Sequence, residues 1–389
     1  MEKYIELEKQ SRAAFRTLPG IGSQRLRELI AHFGSARAAW LAPIEEYLVW
    51  GKAPWALKVL VRRNEIDPAV ISGNLELQGI STVIPEEENY PCLLAELVDA
   101  PPILYYKGLL RPFKEALAIV GARRATAYGR AAAGFLSREI ACKGIVIVSG
   151  LARGIDTAAH EGALAGNGET WAFLGNGLDR IYPPENKKLA QNIIENGALI
   201  SEFIPGSVPE GRHFPARNRL ISGCARGVVV VEAAPKSGAM ITVDFALEQG
   251  REVFAVPGPI FSEMSKGTHY LLRSGAKIAE GAEDIWAEIP LWSNYNLKQS
   301  GNNTDKKTPE TPKNISPAGI DARETAGNQE IKPAILDLLS DIPLHIDQIV
   351  LRCDYQAGSI ALALLELQLE GKIEQLPGQC YILARKCWT

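Results

Sequence analysis

Six short apolar runs in the middle of the chain are the feature that most restricts its fold. Each run is followed by a tight turn, usually with glycine, and helical patterns such as residues 128–142 separate several of them. The runs are ALAIVGA, GIVIVSG, TWAFLGN, ALISEF, GVVVVEA and EVFAVPG. Uninterrupted apolar runs that alternate with helices are typical of parallel strands covered on both faces. The sequence therefore predicts a doubly wound α/β domain.

Changes in composition divide the chain into four predicted parts. Residues 1–80 alternate short helical patterns with Gly and Pro breaks, which favours a helical domain of the helix-hairpin-helix or SAM-like type. Residues 81–292 carry the α/β pattern. Residues 293–328 are polar and almost free of aromatic side chains, as in a flexible linker. Residues 329–389 show three helical patterns and then two short strands around a Pro-Gly pair, the order of a winged helix.

The functions of the two flanking domains stay open at this point. The LPGIG segment could bring backbone N–H groups against a phosphate, or it could be a tight turn in a protein-protein module. The third helix of the winged helix, residues 357–370, contains no Lys or Arg. Reading of duplex DNA by this helix is therefore not expected, and a partner-binding or regulatory role is favoured.

Composition excludes several classes of protein. The formal net charge is −3, so coating of duplex DNA by bulk positive charge is excluded, although a local basic groove is not. The six cysteines show no zinc-site spacing and are expected to be reduced. The acidic start resembles no signal peptide, and no apolar run is long enough to cross a bilayer. A cytoplasmic protein without a membrane partner is expected.

The turns that follow the apolar runs carry the candidate binding residues. In an open parallel sheet, ligands bind at the carboxyl ends of the strands. Five of these turns combine glycine or serine with basic side chains, including Arg124 and Arg130 in the first, and so predict a repeated polyphosphate such as a nucleic acid backbone. The main candidates in chain order are Gly121, Arg123, Ser149, Gly150, Arg153, Lys187, Arg217, Arg219, Lys236, Ser237 and Gly238.

Signals for catalysis are weak. The five histidines form no metal spacing, and neither a Walker loop nor a Gly-x-Ser-x-Gly elbow is present. Asp156 and His160 are four residues apart on a predicted helix and could orient each other as an acid-base pair. A helix-start aspartate and a packed histidine are the favoured interpretation. We therefore predict a protein that is not an enzyme and that has neither a metal nor a cofactor.

Seven ordered motifs together resemble the DNA processing protein A family, also called Smf. They are IVGARRATAYG, VSGLARGIDTAAH, LGNGLDRIYPPEN, SEFIPG, FPARNRLISG, VVVVEAAPKSGAMIT and REVFAVPG. The resemblance implies that the central α/β domain is an extended Rossmann-like domain. It also implies a homodimer that binds single-stranded DNA and loads the RecA recombinase onto strands coated by single-strand binding protein during natural transformation.

The resemblance also assigns phosphate-binding positions. They are Gly121 and Arg123 in the first turn, Ser149, Gly150 and Arg153 in the second, and Arg217, Asn218 and Arg219 in the fourth. The family's Gly-Ser-Arg turn is here Gly121-Ala122-Arg123, so one hydroxyl contact is missing, and we expect DNA binding to survive without it. Phe214 and Tyr182 are the nearest aromatic candidates for base stacking, but a buried anchoring role is expected for both.

Two alternatives belong to other functional classes. The central pattern also resembles nucleotide phosphoribohydrolases, which use a Pro-Gly-Gly-x-Gly-Thr loop and nearby glutamates. This chain has AAPKSGAMITVDFALEQG there, without the double glycine or the acid after the threonine, which disfavours a hydrolase. The second alternative is an interaction scaffold. In it, the flanking domains recruit partners and the turns after the strands hold only a free nucleotide.

Overall fold

Two sheets organise the protein. The structure is a computed structural model, and it describes residues 2–50, 62–112, 114–289, 328–339, 344–353, 355, 357–376 and 380–383. Within these residues, a nine-stranded sheet lies in the first compact unit, Met1–Thr304, and a three-stranded sheet lies in the second, Asp305–Thr389.

The large sheet is built mainly from the predicted apolar runs. Its strands are β1 (Ser81–Val83), β2 (Leu104–Gly108), β3 (Ala116–Val120), β4 (Val146–Ser149), β5 (Thr170–Leu174), β6 (Gly197–Ser201), β7 (Gly227–Val230), β8 (Glu252–Ala255) and β9 (Lys277–Ile278). Their order is β1-β2-β6-β5-β4-β3-β7-β8-β9. The seven strands from β6 through β5, β4, β3, β7 and β8 to β9 run parallel to their neighbours. Strand β2 pairs antiparallel with β6 and with β1. The six runs form β3 to β8, so the predicted parallel sheet is confirmed.

Helices cover both faces of this sheet. In the first unit they are α1 (Glu2–Thr17), α2 (Ser23–Phe33), α3 (Ala36–Leu41), α4 (Ile44–Val49), α5 (Pro68–Leu77), α6 (Cys92–Ala95), α7 (Ala127–Ala141), α8 (Ile155–Ala165), α9 (Lys187–Asn196), α10 (His213–Gly223), α11 (Gly238–Glu248), α12 (Lys266–Arg273) and α13 (Ala282–Glu288). Successive residues of β3 point to opposite faces: Ala118 packs in one buried cluster, and Leu117 and Ile119 pack in another. Burial on both faces explains why the strands are continuous apolar runs.

The N-terminal helices share a core with the sheet. Phe15 of α1 and Leu26 of α2 pack in one buried cluster with Tyr105 of β2 and Leu199 of β6. Arg16 also donates hydrogen bonds to the carbonyl oxygens of Ile21 and Glu202, at 2.9 and 3.0 Å. Packing is thus continuous across residues 80 and 81, and the boundaries of the four-part division stay a prediction.

The hairpin between α1 and α2 is closed by a glycine in the left-handed region. Gly20 has a φ of +88°, and Arg25 donates to its carbonyl oxygen at 2.7 Å. These contacts are all within the chain. Whether the hairpin also contacts DNA or a protein stays open.

The second unit is the predicted winged helix. It contains α14 (Asn328–Leu338), β10 (Leu344–His345), α15 (Ile346–Arg352), α16 (Ala357–Leu369), β11 (Ile373–Leu376) and β12 (Cys380–Leu383), with strand order β10-β12-β11. Helix α16, the third helix of this fold, exposes Leu362, Leu365 and Leu369. Residues 377–379 and, apart from Asn328, the predicted linker lie outside the described residues.

The described residues contain neither a membrane-spanning helix nor a metal-binding cluster. None of the helices there has both the length and the apolar character that a bilayer-spanning segment needs. The same residues contain no group of three or more His, Cys, Asp or Glu side chains placed to hold a metal ion.

Candidate nucleic-acid interface

A cavity of about 560 Å³ lies outside the carboxyl ends of β3 and β7. From β3 the chain continues to β4, β5 and β6 on one side, and later returns to form β7 and β8 on the other. This change of direction is the position where doubly wound sheets bind ligands. The polar side chains and turn residues that line the cavity are Gly121, Arg123, Arg124, Asp156, Arg217, Asn218, Ser237, Gly238 and Thr242.

Three exposed arginines form what we call the cavity rim: Arg123, Arg124 and Arg153. Arg123 and Arg124 follow β3, and neither forms an ion pair with a described acidic residue. The Arg123 guanidinium lies 5.2 Å from the centre of the Phe214 ring, within cation–π distance. Arg153 pairs with Glu185, but both side chains are largely exposed, so this ion pair is weak. The rim therefore offers guanidinium groups to a ligand from solvent.

Beneath the rim is a second group that we call the buried layer: Asp156, His160 and Arg217. The Arg217 side chain is 4% exposed and donates to the carbonyl oxygens of Gly150 and Phe173. Burial lowers the pKa of Arg217 to about 10, and the nearby Asp156 carboxylate opposes this shift. Arg217 thus supports the floor of the cavity and bonds to the protein itself.

A glycine is required where Arg217 crosses the turn after β4. A Cβ atom on Gly150 would lie within 2.0 Å of the Arg217 guanidinium, too close for any side chain. The predicted glycine at 150 is therefore explained by packing against Arg217. Its predicted contact with a phosphate, and that of Arg217, stay predictions.

The turn after β4 uses its polar groups internally. Asp156 accepts hydrogen bonds from the backbone N–H groups of Gly150 and Ala152, at 3.1 and 3.2 Å. The Ser149 hydroxyl is fully buried and donates to the Ile119 carbonyl oxygen at 2.7 Å. Burial raises the pKa of Asp156. The groups predicted to cradle a phosphate in this turn are thus already hydrogen-bonded.

Asp156 and His160 do not bond to each other in the structure. The His160 ring is fully buried, and its Nδ1 lies 2.7 Å from the Thr170 hydroxyl. Burial, together with Arg217, lowers the pKa of His160 to about 3. Both residues therefore fit the favoured interpretation of a helix-start aspartate and a packed histidine.

The first turn of α11 faces the cavity from the other side. Ser237 and Gly238 line the cavity, and the Ser237 hydroxyl oxygen is buried without a hydrogen-bond partner among the described residues. Asn218 positions this turn by donating to the Gly238 carbonyl oxygen at 3.2 Å. The first N–H groups of an α-helix have no partner within the helix, and its dipole favours an anion there. This turn is therefore suited to hold a phosphate.

Three predicted basic residues lie away from the cavity. Arg219 forms a two-point ion pair with Glu202, at 2.8 and 2.7 Å, and does not line the cavity. Arg219 also pairs with Asp99 at 3.2 Å, and because Glu202 directly follows β6, its guanidinium connects α10 to the sheet. Lys187 and Lys236 are exposed, but neither lines the cavity. Their roles as DNA ligands stay predictions.

The two aromatic residues near the rim are more accessible than expected. Tyr182 is 40% exposed, and Phe214 is partly buried. Their ring centres are 5.9 Å apart, and both rings line a small cleft that also contains Arg123 and Arg153. The expectation that Tyr182 is a buried anchor is wrong, because its ring lies in this open cleft.

Carboxylates near the cavity are already engaged. Among the residues that line it, Asp156 is the acidic one, and its carboxylate bonds to backbone N–H groups. Glu232, which follows β7, is buried and accepts hydrogen bonds from the N–H and hydroxyl of Thr126, at 2.9 and 2.6 Å. A phosphoribohydrolase needs a free acid close to its substrate. This arrangement further disfavours that alternative.

Two family models match the chain. One, described as DNA recombination-mediator protein A, matches residues 81–290, and the other, a DprA winged helix domain, matches residues 321–379. The protein Smf of Synechocystis is 33% identical over 385 residues, which cover 95% of this chain and 97% of that protein. DNA processing protein DprA of Bacillus subtilis is 42% identical over 242 residues, which cover 60% of this chain and 81% of that protein.

A solved structure agrees with these relatives. The X-ray structure of DNA processing protein A from Streptococcus pneumoniae superimposes with a TM-score of 0.62 at 36% identity, and covers 74% of this chain and 97% of that chain. The sequence motifs, the Rossmann-like sheet, the winged helix and the near full-length relatives all agree. The chain therefore belongs to the DNA processing protein A (Smf) family of DNA recombination mediators.

Proposed function

We propose that this protein binds single-stranded DNA along the carboxyl edge of its large sheet and acts there as a recombination mediator. The observation that carries the proposal is the cavity rim. Arg123 and Arg124 are exposed, lie beside the cavity and have no acidic partner among the described residues, in a chain whose net charge is −3. Exposed guanidinium groups without partners are free to bind phosphates.

The proposed contacts are of three kinds. The rim arginines bind successive phosphates, and a phosphate replaces Glu185 as the partner of Arg153. The first turn of α11 holds a further phosphate, and the Ser237 hydroxyl there has no hydrogen-bond partner in the described part of the chain. Tyr182 and Phe214 offer ring faces or edges to a base, as in other single-strand sites.

The buried layer contributes indirectly. Arg217 and Asp156 fix the turn after β4, which carries Arg153, and the start of α8. Binding that depends on phosphates and ring faces is sequence-tolerant. It also weakens with salt, with a log-log slope of roughly −0.7 for each phosphate neutralised on a single strand.

Binding of a fluorescent oligothymidine, followed by anisotropy, tests the proposal. We expect Arg123→Ala combined with Arg124→Ala to weaken binding strongly, while Arg138→Ala, an exposed arginine on α7 that does not line the cavity, leaves it unchanged. Equal affinity of the rim variant and wild type would move the DNA site elsewhere on the chain.

Oligonucleotide length separates strand binding from nucleotide binding. The cavity is large enough for one mononucleotide, so a free nucleotide alone is the competing ligand. If the sheet edge binds a strand, affinity rises from a thymidine nucleotide to a decamer. Equal affinity for the nucleotide and the decamer would favour the alternative in which the turns hold only a free nucleotide.

The wider role follows the family resemblance. We propose that the protein works in the cytoplasm as a homodimer during natural transformation, protects incoming single strands, and loads RecA onto strands coated by single-strand binding protein. We expect it to shorten the lag of RecA ATP hydrolysis on such coated strands, and the rim variant to lose this effect. Sedimentation of the purified chain tests the dimer.

We propose no catalytic role. Incubation with nucleoside monophosphates should release no free base, because the carboxylates near the cavity are already hydrogen-bonded. Release of base at a rate that depends on Glu232 would revive the hydrolase alternative.

A further inference from the structure

The loop after β8 holds two adjacent apolar side chains in solvent. Phe261 is 92% exposed and Ile260 is 75% exposed. Single apolar side chains on a surface are common. Here, however, both belong to the segment that ends at Met264, which lines the large cavity. These side chains are therefore beside the proposed DNA site.

Hydrogen bonds fix this loop at both ends. Tyr128 donates to the Pro257 carbonyl oxygen at 2.6 Å, and the ring of His269 lies 3.0 Å from the carbonyl oxygen of Gly258. On the far side, the Met264 carbonyl oxygen accepts from the backbone N–H of Ala233 at 2.8 Å. The loop thus holds Phe261 in place without burying it.

The order of strands places Phe261 at one end of a row of loops. The loops after β5, β4, β3, β7 and β8 follow one another along the same edge of the sheet. Neighbouring strands are about 4.8 Å apart, so β5 and β8 are separated by roughly 19 Å. Tyr182 follows β5, the rim arginines follow β4 and β3, and Phe261 follows β8. The cationic rim therefore lies between two exposed aromatic side chains.

We infer that Phe261 is a stacking platform for a nucleobase of the strand that crosses the cavity. The inference rests on the proposed function and extends its site by one loop, to a residue outside the predicted set. An exposed aromatic ring stacks on any base, because every base has a π-face. Glu263, two positions after Phe261 in the sequence, pairs with Lys266, which lowers its repulsion of the DNA backbone.

The test compares Phe261→Ala and Phe261→Tyr with wild type in the full chain. We expect Phe261→Ala to weaken decathymidine binding by about fivefold or more, since fivefold is about the smallest loss that one stacked base gives. We expect Phe261→Tyr, which keeps an aromatic ring, to restore binding. Phe135→Ala is the matched control, because Phe135 is 55% exposed on α7 and does not line the cavity. The melting temperatures of Phe261→Ala, Phe135→Ala and wild type should agree, because the side chains of Phe261 and Phe135 are both largely exposed.

An abasic oligomer of the same length separates stacking from other effects. It carries the phosphates without the bases, so wild type and Phe261→Ala should bind it equally. If wild type binds decathymidine and Phe261→Ala binds it equally well, the stacking role is wrong and the proposed function stands. A loss of dimer mass in Phe261→Ala with unchanged DNA affinity would make this loop a protein interface and also overturn the inference. Failure of wild type to bind any strand would instead remove the proposed function.

Discussion

The cavity rim and the buried layer beneath it lie at the same edge of the sheet but have opposite surroundings. Arg123 and Arg124 of the rim are exposed, and neither has a described acidic partner. Arg217 of the buried layer is 4% exposed and bonds to two carbonyl oxygens beside Asp156. Arg123 and Arg124 of the rim and Asp156 and Arg217 of the buried layer all line one cavity. Arg217 lies within α10 and not in the turn where the sequence predicted it. Location at the same edge of the sheet therefore does not decide what an arginine does; its partners and its burial decide.

This difference separates stability from binding. A buried guanidinium is stable only with partners that replace its water, so its loss leaves those partners unsatisfied. An exposed guanidinium keeps its water until a ligand arrives, and its loss changes the folded state little. The predictions below test this separation.

The largest effect is expected in the buried layer. Arg217→Ala leaves the Asp156 carboxylate buried without its neighbouring cation, and should lower the free energy of unfolding by about 3–5 kcal/mol. Urea unfolding followed by circular dichroism measures this change. Arg212→Ala is the matched control on the same segment, because its ion pair with Glu210 is exposed and contributes little. Equal losses in the two variants would contradict the assignment of Arg217 to the buried layer.

The next effect is expected at the rim. Arg123→Ala with Arg124→Ala should weaken oligothymidine binding by about 2 kcal/mol or more, roughly thirtyfold, because two charge-assisted contacts are lost. The unfolding free energy of this double variant should stay within about 0.5 kcal/mol of the wild-type value. Anisotropy titration and urea unfolding of the same preparation give both values. If this variant is destabilised but binds DNA normally, the rim arginines serve stability and not binding, which contradicts the account.

A smaller effect concerns the pH dependence of stability. The pKa of His160 is about 3 in the folded protein and about 6.5 in the unfolded chain, so the unfolded chain binds more protons between these values. Stability should therefore fall below pH 6.5, with at most about 1.4 kcal/mol lost per pH unit from this histidine.

The variant His160→Gln isolates this contribution. The raised pKa of Asp156 acts in the opposite direction, but this carboxyl is present in both proteins. The difference between wild type and His160→Gln in unfolding free energy should thus change between pH 7 and pH 5. If this difference stays the same at both pH values, His160 takes up its proton as readily in the folded protein as in the unfolded chain.

The smallest effect is expected in the winged helix. Leu365 is 54% exposed on α16, a helix without Lys or Arg. Leu365→Glu in the full chain should leave binding of single-stranded and duplex oligonucleotides unchanged within twofold. A clear loss of affinity would show that α16 contacts DNA despite its lack of positive charge.

The strands and the cationic edge were predictable because they depend on local patterns. Continuous apolar runs predicted β3 to β8, and the order of helices and strands predicted the winged helix. The antiparallel addition of β2 and β1 was missed, since these strands form no long apolar run of their own. The shared core of the N-terminal helices and the sheet joins residues far apart in sequence, which no local pattern reports.

The site residues were predictable only in part, for the same reason. Arg123 and Arg153 were identified as positive charges in glycine turns. Arg124 was noted in the same turn as Arg123 but left out of the site. The surroundings of Arg217 and Arg219 depend on Gly150 and Glu202, which are distant in sequence. Phe261 was missed because its loop carries no phosphate-binding pattern, and only the strand order places it beside the cavity.

The salt dependence of oligothymidine binding tests the central claim most directly. It would be measured for wild type and for the variant that combines Arg123→Ala with Arg124→Ala, from low to high potassium chloride. If the rim binds phosphates, the slope of log affinity against log salt should be shallower in the variant by roughly 1.4, because two phosphate contacts are lost. The same slope and the same affinity in both proteins would contradict a DNA site at the rim.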